Sequence, residues 1–253
     1  MAGLRPFLRK ELLEQWRTLR LPVVSVVFLL VGLSSPLLAR FTPELLKAVA
    51  GDQFQIQLPT PTAADAVAQL AKNLGQFGAL IAVLLAMGAV ATEKERGTAA
   101  MVLSKPVGRG AFLASKLLAI GATLGVATAV AAVGSWFYTL VLFEPLPLAG
   151  TVAAAALQWL MLVAWAAITF VGSTLSRSSL AAAGLGIVAF VVVGIASAIP
   201  PLARFVPTGL GPVIHGVSLG RPVTDPWTPI VATALLIAAA GVVSWLAFRR
   251  QEL

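Results

Sequence analysis

Cysteine is absent from the 253 residues, which excludes disulfides, thiolate metal sites, iron–sulfur clusters and cysteine nucleophiles together. Charge is scarce as well: Asp, Glu, Lys and Arg make up 11% of the chain, against about 25% in an ordinary soluble domain. Histidine occurs once, at 215, so no second imidazole stands ready to share a metal ion. No Gly-x4-Gly-Lys-Ser/Thr loop is present to cradle nucleotide phosphates. What fills the chain instead is apolar bulk, with 58% hydrophobic residues and a mean hydropathy of +0.93. The bilayer is the solvent such a composition suits.

Six stretches approach the roughly 20 residues needed to cross a bilayer. They are 21–39, 75–92, 117–143, 149–175, 179–200 and 229–248, and none contains Asp, Glu, Lys, Arg or His. One such residue at a helix centre costs roughly 2.5–3.5 kcal/mol on insertion scales, so all six can insert uncompensated. The alternation of a membrane β-barrel is missing and Ala and Leu dominate, so the spans are helices. The expected fold is an all-α integral membrane protein, one transmembrane domain over residues 1–253. A cleaved leader over residues 1–39 is the competing reading of the start. Its basic stretch is too long and too amphipathic for that, and five further spans follow.

Thirteen of the 18 Lys and Arg residues fall on one side of these spans, five on the other. The richer side carries both termini, which places them in the cytoplasm. The net charge of +8 is spread along the chain rather than gathered into a basic face, which argues against nucleic acid as a partner.

Residues 1–20 form an expected interfacial elbow helix. Leu4, Leu8, Leu12 and Trp16 make an apolar stripe for the membrane, and Arg5, Arg9, Lys10, Glu14 and Arg17 lie around it near anionic lipid heads. The outer segment 40–74 offers a short helix after Pro43 and a second one begun by Thr62 with Asp65 at capping-box spacing, running on into the second span. The outer segment 201–228 is too rich in Pro and Gly for one long helix and reads as short helices and turns. On the third span Gly121, Gly125 and Ala129 form a face where another helix can approach closely.

No ionisable residue lies within the spans to relay protons, so uphill transport would need an outside energy source. Thr123, Tyr138 and Gln158 are the candidate lining of a pathway for an amphipathic cargo; the competing reading pairs such groups with helix backbone. Glu144, Asp225 and His215 lie on the outer side, where an enzyme built from them is the remote alternative and loop solvation the ordinary one.

The segment 93–109 carries the densest set of signals outside the membrane. The second span continues through Glu93-Lys94-Glu95-Arg96 and stops at Gly97, and Thr98 can cap a short helix containing Met101, closed by Pro106 and flanked by Lys105 and Arg109. A short apolar helix held between two spans and ringed by charge can dock into a groove on a soluble partner.

The run Glu93-x-Glu95-Arg96-Gly97-Thr98, then Leu103-Ser104-Lys105-Pro106-Val107-x-Arg109 and Ser115-Lys116, resembles the membrane subunits of type-2 ATP-binding-cassette transporters. It is most similar to the subgroup with the permease of nitrous-oxide-reductase maturation and the gliding-motility permeases. Arg9-Lys10-Glu11-Leu12 on the leading helix, the six spans and the two outer segments fit the same layout. The resemblance implies a non-catalytic permease whose coupling helix, after the second span, seats on a separate ATPase subunit that uses ATP and magnesium. The permease itself holds no cofactor. Two permeases, identical or paralogous, would pair with two ATPases among membrane lipids. Glu93, Glu95, Arg96, Gly97 and Thr98 would form or brace the contact, with Lys105 and Arg109 beside it. The function implied is ATP-driven export. The alternative is an ATP-driven complex that passes force to an outer-face accessory protein without moving cargo.

Overall fold

The computed structural model describes residues 4–50, 60–98 and 108–251, without the side chains of 46–50. Helix α1 spans Leu4–Arg17 and breaks at Leu19, which adopts a left-handed φ of 59° before α2, Arg20–Ala50, begins. Among the described residues six helices are long and apolar enough to cross a membrane, as expected, and their bounds show where the chain departs from the hydropathy pattern. Thus α2 runs well past the expected end at 39, with Pro36 and Pro43 inside it. The separate helix expected after Pro43 is part of this one.

The second span is interrupted rather than uniform. Thr62 and Asp65 form the expected capping box, Thr62 N–H donating to the Asp65 carboxylate at 2.8 Å, and open α3, Ala63–Asn73. A π-helical turn, Leu74–Gly78, follows, then α4, Ala79–Met87, and after Gly88 a short α5, Ala91–Glu95. At the first break the Asn73 amide donates to Ser35 of α2 at 2.9 Å, while its oxygen accepts from Gln69 at 3.2 Å. At the second, the Ser173 hydroxyl accepts the Val90 and Ala91 N–H groups, each at 3.0 Å, which no helical carbonyl would reach. Both breaks are thus held by polar side chains from other spans.

The third span, α6, covers Arg109–Leu142, and α7 covers Leu148–Leu175. These two are the most buried and form the centre of the bundle. Phe28, Ile120, Leu124, Leu162, Trp165 and Phe170 fill the core between them, α2 and α4. Gly32 of α2 and Ala131 of α6 approach so closely that a methyl group on Gly32 would overlap the Ala131 backbone. The expected glycine face on α6 is also used, but by a side chain. The Trp159 indole covers Gly125 and donates to the Gly121 carbonyl at 2.8 Å.

Helix α8, Ser179–Ser197, and the last span, α11, Trp227–Arg249, lie at the periphery and expose most of their apolar surface. Between them the expected short elements appear as α9, Pro200–Ala203, a 3₁₀ turn at Pro207–Gly209, and α10, Leu210–Ser218. Asp225, with φ of 51°, accepts the Thr228 N–H at the start of α11, and the Thr228 hydroxyl together with that N–H holds its carboxyl below the usual carboxylate range.

Candidate functional site at the ends of three helices

Lys116, the eighth residue of α6, is only 5% exposed although it borders a long uncharged apolar run. An unpaired ammonium there would cost several kcal/mol, and two carboxylates meet it. Glu11 of α1 approaches its Nζ at 3.2 Å and Glu93 of α5 at 2.6 Å. The Phe112 ring lies 5.0 Å from the same nitrogen and stacks on Phe248 of α11, centroid to centroid 5.6 Å. Lys10 adds a second cation, 3.3 Å from Glu11 and 3.5 Å from Glu14. Burial works to lower the Lys10 pKa, but the carboxylates of Glu11, Glu14 and Glu93 outweigh it and hold the ammonium above its ordinary value.

The cluster therefore ties the leading helix, the end of the second span and the start of the third into one charge-compensated knot. It also explains the orientation of α1. Glu11 and Gln15 are its buried residues, and Phe7 packs on the core, while Arg5, Arg9, Lys10 and Trp16 face outward, Trp16 61% exposed. The apolar stripe expected at Leu4, Leu8, Leu12 and Trp16 is thus split. Leu8 and Leu12 are half-buried, and the face that meets α6 is partly polar because Lys116 is there to receive it.

The residues expected to contact a partner fall into distinct groups. Glu93 points back into the protein, one carboxylate oxygen on Lys116 and the other buried without a donor. Glu95 and Arg96 are exposed at the end of α5. Gly97 takes the left-handed φ of 70° that ends the helix, which suits glycine alone at no cost. Thr98 is exposed and its hydroxyl donates to the Glu93 carbonyl at 3.2 Å. Met101 and Lys105 lie outside the described residues. Arg109 turns away from that segment to the end of α11, donating to the carbonyls of Phe248, Arg249 and Gln251 at 3.2, 2.8 and 3.2 Å.

Lys116 and Glu11 carry the geometry of the site, yet the motif reading gave them no role of their own. The signal was available: a lysine followed by 27 uncharged residues must find a carboxylate, and Arg9-Lys10-Glu11 offers one on a helix nearby.

The candidate pathway residues lie within the bundle. Thr123 is fully buried, Tyr138 half-buried, and Gln158 3% exposed. Gln158 borders an internal recess of about 40 Å³ with Thr128, Ser135, Trp136 and Ser218, and neither end of its amide has a partner. His215 is half-buried on α10 and Glu144 exposed beyond α6.

Six candidate spans, with a leading helix locked to them by buried charge, define an all-helical multi-pass membrane protein. Residues 6–210 match the family model for the ABC-2 family transporter protein, and the chain belongs to that family. YxlG, an uncharacterized transmembrane protein of Bacillus subtilis (strain 168), is 27% identical over 259 aligned positions covering 100% of this chain and 99% of that protein. Family membership makes this chain a transmembrane permease component, a kind of subunit that is normally non-catalytic, and implies an ATPase partner.

Proposed function

We propose that the chain is the permease subunit of an ATP-driven exporter of the plasma membrane, with both termini in the cytoplasm. It docks a separate cytoplasmic ATPase through the segment after its second span. The observation that carries this reading is the knot at Lys116. The docking segment leaves the membrane directly after Glu93, and Glu93 is ion-paired to the helix that carries the chain back in, so a displacement of the segment reaches α6 and α1 without slack. Exposed Glu95, Arg96 and Thr98 are the partner-facing contacts, whereas Glu93 is a brace.

ATP and magnesium are bound by the partner. ATP-dependent closure of two ATPases pushes the docking segments, and the spans of a paired permease, identical or paralogous, rock between inward- and outward-facing states. The exposed apolar faces of α8 and α11 suit lipid or the paired copy. Membership of a transporter family favours transport over force transmission to an outer-face protein.

The test is purification of the tagged chain with the products of neighbouring genes, followed by an ATPase assay in lipid. A small soluble ATPase recovered in equal amounts, with activity that depends on the permease, supports the proposal. A chain that purifies alone and leaves any candidate ATPase unaffected overturns it.

A further inference from the structure

The two ends of the segment 96–108 share an anchor that the docking reading does not use. Just before it, the Lys94 ammonium donates to the Thr174 carbonyl at 2.6 Å and to the Gln251 side-chain oxygen at 3.2 Å. Just after it, Arg109 donates to the carbonyls of Phe248, Arg249 and Gln251. Gln251 closes the ring, its amide donating to the same Thr174 carbonyl at 2.9 Å. The last turn of a helix leaves carbonyl lone pairs free for further donors, and the negative ends of α7 and α11 favour cations. Both cations that bracket the segment are spent on this one junction.

From this geometry we propose that Phe248–Gln251, at the end of the last span, is a clasp that sets the position of the docking segment, with Gln251, Lys94 and Arg109 as positioning residues. The clasp joins the segment to α7 and α11, whereas the knot at Lys116 joins it to α1 and α6. Helix α11 is otherwise the least buried span, and the clasp adds to the Phe112–Phe248 stack in fixing its end to the bundle. Its α11 part, Phe248–Gln251, lies beyond residue 210, where the family match stops. The inference gives a second route for the docking stroke proposed above and rests on that reading for its purpose, though not for its existence.

The absence of cysteine makes the test clean, because one introduced thiol carries a unique label. A spin label at Thr98→Cys reports the start of the segment and one at Arg250→Cys the end of α11, both in the full chain in lipid nanodiscs without an ATPase. Gln251→Ala and Arg109→Lys should each raise mobility at both labels, shortening the rotational correlation time about twofold, while a label at exposed Leu148, at the opposite end of α7 from Thr174, stays unchanged as the control for folding. A change at 250 alone would mean that Arg109 and Gln251 only cap α11, and no change at either label would mean that no clasp exists; both results overturn the inference. With an ATPase partner present, Gln251→Ala should keep binding but lose most of the transport per ATP hydrolysed. Raised mobility at both labels together with failure of any ATPase to co-purify with the chain would leave the clasp standing and refute the docking reading instead.

Discussion

Replacing Lys116 by methionine keeps the length and most of the volume of the side chain but removes the charge that Glu11 and Glu93 share. Both carboxylates are largely buried, so they can neither rehydrate freely nor move apart without shifting α1 or α5. Lys10 still reaches Glu11 at 3.3 Å, but Glu93 is left with no cation within bonding range among the described residues. Breaking a buried pair by removing one partner costs about 3–5 kcal/mol, because the other charge stays buried. At roughly 2–4 °C per kcal/mol for chains of this size, Lys116→Met should lower Tm by about 6–20 °C. The assay is thermal unfolding of the purified chain in one detergent at fixed pH and salt. Neutralising the two acids in the same background, Glu11→Gln with Glu93→Gln, should recover much of the loss, since the stranded charges are then gone. A Lys116→Met protein that melts within about 2 °C of the native chain would refute the buried lock.

Three further outcomes follow from the packing. Gly32→Ala places a methyl group against the Ala131 backbone, so α2 must back away from α6; a loss of about 1–3 kcal/mol is expected, and unchanged melting would contradict the close approach. Ser173→Ala strands the Val90 and Ala91 N–H groups at the break before α5 and should cost about 1–3 kcal/mol, read by the same melt and by faster amide exchange at 90 and 91. Gln158→Leu removes a buried amide that has no partner, so stability should hold or rise. A clear fall in Tm would show that the amide is paired, and a fall in transport at unchanged Tm would support Gln158 as pathway lining.

Hydropathy located the six spans because uncharged runs of that length have few other uses, and the Pro-Gly content of 201–228 announced its short elements. Capping chemistry was equally legible at Thr62 and Asp65, and at Gly97, since each rests on neighbouring residues alone. What hydropathy hid were the features made by distant residues. Lys116 marked the border of a span when read along the chain, yet α6 begins at Arg109 and buries it, because Glu11 lies 105 positions away in sequence but 3.2 Å away in space. The breaks in the second span were hidden for the same reason. Ala79–Met87 is uniformly apolar, and only Ser173 and Asn73 with Ser35 reveal where the helix changes its winding. Gly32 was one small residue among many until Ala131 was placed on it. Of the proposed docking segment, the motif could be read from the chain, but which of its charges face out required the fold: Glu93 and Arg109 turn inward, Glu95 and Arg96 outward.

The central claim is that an ATPase seats on the end of α5, and a photo-crosslinker replacing Arg96 tests it most directly. Placed in the full chain and irradiated in membranes, the crosslinker at 96 should capture the ATPase subunit. The same group at Trp227, on the opposite side of the membrane in this account, should capture none. Capture from 227 but not from 96, or from neither in membranes that hold the ATPase, would contradict the account.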